Sequence, residues 1–594
     1  MFKIKPQDIP RPVLIPIILI LFLGLSIAHA QEEGVPFEII VKGLEGDALK
    51  NVELALTPPE GMIKGNEVDR LLLALFEQEA PQKIREALEP FGYYQAQIQT
   101  SLERPANRWR LLVTINPGRP VRISSLKIDL NGPGARDEKL RRGLPEFPLK
   151  EGDILRQDRY EEAKKALRDN ALEGGYLQAD YAVHLIRLSL KEHAAQIELV
   201  LETGPRFYFG DILFAPPLSY PESFLRRYLT FKTGRGFSAR RLDETRLNFT
   251  NSDRFREAIV EANPEEARDY HVPVRIRLTP SKPKRFKIGV AYETDTGPGL
   301  ITRYQDLNFY HQGHELNTEL RLSEGFQGLA VNYILPGTGN LDNKTTLRAG
   351  FKREITDTYD SRSLFSQYEY EHSFGRGRLG AGTLRLLQED YSIVSQQGLS
   401  TMVIPGARFG QRRYDNPVRP TRGYRYTLET RGSVPSLGSD GSFLQFLLQG
   451  DSLIPLGEGF SLLLRGQGGT TWQNEPLVNL PPSIRFFAGG DQSVRGYGYQ
   501  SLGPKEPSGK VIGGRHLIVG SLEIEKAFSP VWGLAAFYDV GNAFDQFHQV
   551  ELKQGAGLGI RFYTPVGPVR IDLARQIEET SPQYRIHLSM GFGL

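Results

Sequence analysis

The chain has no cysteine, which removes disulfide scaffolds, thiol catalysis and thiolate zinc sites together. Nor does one sign of charge dominate: 73 Lys and Arg stand against 70 Asp and Glu, a formal +3 over 594 residues. A nucleic-acid partner calls for a clustered basic surplus, and no block of like charge supplies one. Beyond residue 30 there is no long apolar run, so a helical membrane protein, with spans of ~20 apolar residues, is excluded. A β-barrel membrane protein is not, because lipid-facing and lumen-facing residues alternate along each strand and the average stays polar. The length also excludes a single core, since cores stop growing at roughly 250 to 300 residues.

The one long apolar run, Val13 to Ile27, follows Lys3, Lys5 and Arg11 and ends on Ala28-His29-Ala30. A basic start, a short apolar stretch and a small-x-small close describe a secretory signal peptide over residues 1–30. Interrupted by Pro16, the run is short for a membrane span. The mature chain is expected to begin at Gln31, outside the cytoplasm.

From Gln31 to about Pro280 short helices and strands alternate. Helical patterns over Glu67–Gln78 and Gln82–Glu89 are separated by Pro81, read as the first turn of the second helix, where its missing N–H costs nothing. Gly92-Tyr93 stops the helix, and a strand pair closes at Asn116-Pro117-Gly118-Arg119-Pro120. The order returns with Tyr160, Ala163 and Leu167 at helical spacing, Gly175-Tyr176 as the stop, and Thr203-Gly204-Pro205-Arg206. A weaker third copy has helices near Pro221–Leu229 and Ser238–Phe249 and a strand Val272–Leu278. Three units of about 80 residues, each a small sheet with two helices, are the simplest account.

From Lys284 the period changes to two. Phe286, Ile288, Val290 and Tyr292 alternate with Lys287, Gly289 and Ala291, and the last ten residues alternate without exception. Such segments, separated by Gly, Pro, Asn and Asp clusters, are the signature of a transmembrane antiparallel barrel. The span from Lys284 to Leu594, at ~10 residues per strand with a comparable allowance for turns, suggests about 16 strands. The expected fold is therefore α+β repeats followed by an all-β barrel.

Motifs for enzyme chemistry fail on context. Gly375-Arg376-Gly377-Arg378-Leu379-Gly380 fits G-x-G-x-x-G but lies among strands, without the helix a dinucleotide site requires. Near Gly503 a would-be phosphate loop has five residues before Gly509-Lys510 and Val511 where Ser or Thr would hold Mg²⁺. His311 and His314 have no third ligand in view, so no metal or other cofactor is assigned. No nucleophile constellation can be argued, and no enzyme is expected.

Asn479 to Gly513 is long for a barrel loop and contains Arg485-Phe486-Phe487-Ala488-Gly489-Gly490-Asp491-Gln492-Ser493-Val494-Arg495-Gly496-Tyr497. Its glycines permit close backbone approach, so it reads either as an outward surface loop or as one folded back into the barrel, with Arg495 on a lumen carboxylate.

These residues resemble the Omp85 superfamily and, within it, the TamA-like branch. Arg485-Phe486 through Gly490, with Val494-Arg495-Gly496-Tyr497, is similar to the family's loop 6 signature. Phe537-Tyr538-Asp539-Val540-Gly541-Asn542 and Gly555 to Asp572 are similar to its later strands, and Ala291 to Gly297 to the start of its barrel. The resemblance implies three POTRA domains, at residues 31–117, 118–203 and 204–280, in the periplasm, and an outer-membrane barrel over 281–594. It implies that Arg495 pairs with Asp539 inside the lumen while Gly489, Gly490, Gly496 and Tyr497 shape the loop tip. It further implies a lateral seam between the first strand (Phe286, Ile288, Val290, Tyr292) and the last (Gly591, Phe592, Gly593, Leu594). The partners implied are unfolded outer-membrane clients such as autotransporters, outer-membrane lipid, and a TamB-like inner-membrane-anchored periplasmic protein. One departure is visible: Ser589 holds a position where the family's terminal assembly signal has Gly, and the chain ends in Leu594 rather than an aromatic residue.

Two physical expectations accompany the resemblance. Unpaired backbone groups facing lipid cost several kcal/mol each, so a fully open seam is excluded unless pairing there is short or a client pairs as it opens. Loss of Arg495 is expected to weaken the loop, and exchange of charge between Arg495 and Asp539 to restore part of the function.

Overall fold

The computed structural model describes residues 37–590 apart from 66, 106–107, 338, 395, 417–419, 474–475, 565–566 and 578. The expected signal peptide, and Gly591, Phe592, Gly593 and Leu594 of the expected seam, lie outside the described residues. The chain divides into two compact units, one reaching Tyr208 and including 236–238, the other comprising 209–235 and 239–594.

The first unit holds two small sheets built on one plan. In the first, β1 (Phe37–Lys42), β4 (Gln97–Glu103) and β5 (Trp109–Asn116) are ordered β1-β5-β4, with β1 and β5 parallel. A short hairpin, β2 (Ile63–Lys64) and β3 (Glu67–Val68), lies between the helices α1 (Gly46–Ala55) and α2 (Arg70–Leu88). The helices bury Val52, Phe76, Ile84 and Leu88 against Leu111 and Val113 of the sheet. In the second, β6 (Arg122–Asn131), β7 (Asp180–Ser189) and β8 (Ala194–Glu202) are ordered β6-β8-β7, with β6 and β8 parallel. Its helices are α3 (Glu138–Gly143) and α4 (Gln157–Glu173). Tyr160, Leu167 and Ala171 line one stripe of α4 and are buried on the sheet.

The helical boundary expected at Pro81 is corrected. Helix α2 is continuous, capped by the Asp69 carboxylate, which accepts from the Leu71 and Leu72 N–H groups, and Pro81 stands in its interior. An interior proline costs about 3 kcal/mol. Burial of Leu73, Phe76, Ala80, Ile84, Ala87 and Leu88 along one stripe outweighs this, at ~1.5 to 3 kcal/mol for each large side chain fully buried.

The second unit begins with a third sheet, ordered β10 (Phe255–Ala262), β11 (His271–Pro280), β9 (Tyr208–Phe214), with helices α5 (Glu222–Leu225) and α6 (Ala239–Thr250). Its core is aromatic: Phe209 stacks on Phe231 at 4.0 Å and Tyr228 on Phe249 at 4.8 Å. This sheet is seated on barrel turns. Asn308 Nδ2 donates to the Ser219 carbonyl at 2.8 Å, Arg227 Nε to the Gly337 carbonyl at 2.7 Å, and Arg254 Nη2 lies 3.6 Å from the Glu315 carboxylate.

Sixteen strands follow, β12 (Lys284–Glu293) to β27 (Tyr584–Met590), each antiparallel to its sequence neighbour in one sheet, as alternation at period two leads one to expect. On β24 (Trp532–Phe544) the alternation is visible in burial: Trp532, Leu534 and Tyr538 face outward while Ala535, Phe537 and Asp539 are buried inside. Among the described residues no α-helix follows Thr250, and no helix is long and apolar enough to cross a membrane.

Candidate functional site

The segment between β22 (Phe460–Trp472) and β23 (His516–Ala527) is folded inward. Its base is stapled by Arg485, 5% exposed, whose Nε donates to the Leu480 carbonyl at 2.8 Å and Nη1 to the Ile512 carbonyl at 2.9 Å. Beside it Phe486 and Gly514 exchange backbone hydrogen bonds of 2.9 and 2.7 Å. Val494 and Tyr497 are buried with Ala488, Leu502 and Val519. Gly489, Gly490 and Gly496 have φ of 96°, 106° and 94°, the left-handed region that disfavours other residues.

Arg495 is 2% exposed. Its Nε and Nη2 take both oxygens of Asp539 at 2.7 and 2.9 Å, and its backbone N–H reaches Asp539 Oδ2 at 3.1 Å. The fork geometry of a guanidinium suits this two-point contact. Nη1 divides between Glu523 at 2.8 Å and Asp572 at 2.9 Å, and the guanidinium carbon lies 3.4 Å from the Phe537 ring centre. Asp539 Oδ1 also accepts from the Ser521 hydroxyl at 2.6 Å.

A second arginine closes the network. Arg561, on β25 (Lys553–Thr564) and fully buried, reaches Glu523 at 2.6 Å, Glu525 at 3.0 Å and Asp572 at 2.5 Å. Two buried arginines thus pair with Glu523, Asp539 and Asp572 from three strands, the last being β26 (Gly567–Ile577). Buried charge is tolerable only when it is paired and hydrogen-bonded in this way. Close approach depends on Gly555, where a Cβ would overlap the Arg495 carbonyl.

The loop tip is held by the last two strands. Gln576 Nε2 donates to the Gly496 carbonyl at 3.0 Å, and the Gly496 N–H donates to His587 Nε2 at 2.9 Å. Tyr497 Oη pairs with Glu579 at 3.2 Å.

The structure therefore brings Arg495 and Asp539 into contact and gives Arg485 a separate place at the loop base. It adds Glu523, Asp572, Arg561, Ser521 and His587, which the sequence reading did not assign. Parity along each strand marks Glu523 and Asp572 as inward, but only register, in which Ser521 faces Asp539 and Gly559 faces Asp572, brings them to one guanidinium.

At the seam, Phe286, Ile288, Val290 and Tyr292 of β12 are 64, 66, 77 and 47% exposed. Among the described residues the end strands are joined where the Thr294 N–H donates to the Leu588 carbonyl at 3.3 Å and the Leu588 N–H to Thr294 Oγ1 at 2.8 Å.

A sixteen-stranded barrel with apolar residues outward, one of its own loops clamped in the lumen by arginine, and small α/β sheets ahead of it defines an outer-membrane barrel with periplasmic domains. Comparison with known proteins gives the family. Residues 296–593 match the Omp85 superfamily domain, 38–117 the POTRA domain TamA domain 1, and 121–202 the POTRA group described as surface antigen variable number repeat. The chain belongs to the Omp85 superfamily, with its barrel in the outer membrane and its POTRA domains in the periplasm. A curated relative, the outer membrane protein assembly factor BamA of Nitratidesulfovibrio vulgaris (strain Hildenborough), is 23% identical over 463 residues, 74% of this chain and 57% of the relative. The chain thus spans little more than half the length of that relative. BamA from Haemophilus ducreyi lacking POTRA domains 1–3 shares the fold, with a TM-score of 0.65 at 16% identity over 79% of this chain and 99% of that one. CdiB from Acinetobacter baumannii aligns with a TM-score of 0.47 at 14% identity over 80% of this chain and 91% of that one.

Proposed function

We propose that this protein is an outer-membrane assembly factor that inserts β-barrel clients, such as autotransporters, through a lateral seam between β12 and β27. POTRA domains at 31–117, 118–203 and 204–280 receive unfolded clients in the periplasm, and the barrel occupies 281–594. The observation that carries the reading is the seam. A client strand needs an edge to pair with, and the thinly joined β12 offers one by strand addition. Arg495 and its carboxylates hold the loop against the wall beside that seam. Membership of the TamA-like branch, with a TamB-like partner, rests on the loop and barrel motifs and on the match of residues 38–117.

The test is the rate at which a urea-unfolded outer-membrane client becomes folded and protease-resistant in liposomes holding the mature protein. Acceleration over empty liposomes that falls with Arg495→Ala supports insertion. No acceleration, together with ion conductance through the same liposomes, supports the second reading, a secretion pore or passive conduit.

A further inference from the structure

A second group of titratable side chains meets at the seam, apart from the arginine clamp. Asp295 lies in the turn between β12 and β13 (Gly297–Phe309), Asp491 at the loop tip, and His587 on β27. One ligand-type atom from each lies within 4.8 Å of the others. These are the first hairpin, the inward loop and the last strand, the three pieces that must separate if the seam opens.

The contacts are specific. The Asp491 N–H donates to Asp295 Oδ2 at 3.0 Å, while Asp295 Oδ1 is buried and, among the described residues, has no hydrogen-bond partner. At Gly490 a Cβ would come within 2.7 Å of Asp295 Oδ2, so the loop backbone passes the carboxyl too closely for a side chain. His587, 2% exposed, bonds Asp491 through Nδ1. Its Nε2 accepts from the Gly496 N–H, so the ring carries its proton on Nδ1 and donates it to Asp491.

That tautomer decides between two occupants. A metal on Nδ1 would need that lone pair free, placing the ring proton on Nε2 against the Gly496 N–H. Two carboxyls beside a neutral imidazole instead suit one additional proton, since adjacent like charges disfavour double ionisation. Burial first, then the Asp491 carboxylate, pushes the Asp295 carboxyl up to about 6. The other groups facing it are Arg585 on β27 and Tyr499 on the loop. In its own hairpin Glu293 is engaged by Arg321 at 2.6 Å.

We propose that Asp295, Asp491 and His587 form a proton-operated latch across the seam. With a proton on the Asp295 carboxyl beside the Asp491 carboxylate, the first hairpin, the loop tip and the last strand hold together; without it, the two like charges face each other and the hairpin loosens from the other two. Asp295 keeps its proton to higher pH when latched than when free, so the latch is complete below the free-aspartate range and weakens as pH rises from about 4 to about 6. The latch belongs to the barrel itself, whether the protein inserts clients or conducts.

The absence of cysteine makes the test direct. Nitroxide labels on Pro298→Cys and Gln583→Cys, both exposed, report the separation of first hairpin and last strand in the full chain in nanodiscs with no client present. The ratio of long to short distances is expected to fall by at least about tenfold between pH 7.5 and pH 4.5. Asp295→Asn, which keeps a neutral acceptor and adds a donor, is expected to show the short distance at both pH values. An unchanged wild-type distribution overturns the latch. So does an undiminished pH response in Asp295→Asn, which would move the titration to His587. Shortening at pH 7.5 by added Zn²⁺, reversed by chelator, would make the occupant a metal and also overturn it. The wild-type titration decides by itself if the variant fails to fold, which the heat-modifiable gel shift of the barrel reports.

Discussion

The wall formed by β23 to β26 and the seam strand β12 share the same alternation in sequence but have opposite burial. On β24 every second residue from Gly533 to Phe537 is buried, and Asp539 is fully so; on β12 both Phe286 and its neighbour Lys287 are exposed. The difference is made by the loop. A strand's inward face is covered only where something fills the lumen, and here the filling meets β23 to β26 on one side and, on the other, Glu354, which Tyr499 Oη reaches at 3.0 Å, and Tyr359, Tyr391 and Ile393, against which Phe487 packs. Burial thus follows the walls that the loop meets, while the first strand is left uncovered on its inward face and, among the described residues, is tied to the loop only through the turn that follows it.

The strongest way to break this contrast is Arg495→Ala. It strips Asp539 of its arginine and, among the described residues, leaves Arg561 alone to pair with Glu523 and Asp572, and losing one partner of a buried pair costs about 3 to 5 kcal/mol. Urea titration followed by the barrel gel shift should show a correspondingly lower midpoint. Next, the exchange Arg495→Asp with Asp539→Arg is expected to recover nothing. The rescue expected from the sequence is corrected here, because Asp at 495 would meet Glu523 and Asp572, both within 2.9 Å of the arginine it replaces. Recovery of the wild-type midpoint in the double variant would show that these two acids are not partners. Gly555→Ala should cost ~1 to 3 kcal/mol by forcing the loop off the wall, read as faster trypsin cleavage at Arg495 in the intact barrel. Ile288→Ala on the exposed strand should lower the midpoint by less than about 1 kcal/mol. A loss as large as that of Arg495→Ala would mean that β12 is held as firmly as the wall.

Much of this was readable in advance. Period-two alternation pointed to the barrel, the length of the alternating segment to its strand number, and the family resemblance to Asp539 as the partner of Arg495. What escaped was whatever depends on which strands adjoin the loop. Glu523, Asp572 and His587 each look like an ordinary inward polar residue until register places them around one guanidinium or one glycine N–H. Asp295 is harder still, being a turn residue whose neighbour Asp491 lies 196 positions away. Pro81 misled for the opposite reason: a local breaker rule was overridden by burial along a stripe visible only once the sheet beneath it is known.

The partners of the loop also order its folding in time. Arg495 meets Asp572 77 residues further along the chain, and Gly496 meets His587 91 residues further. Contacts of such separation form late, after the closure entropy of the intervening chain has been overcome. Until β26 and β27 are in place the arginine lacks part of its shell, so seating of the loop reports that the barrel has been made to its end.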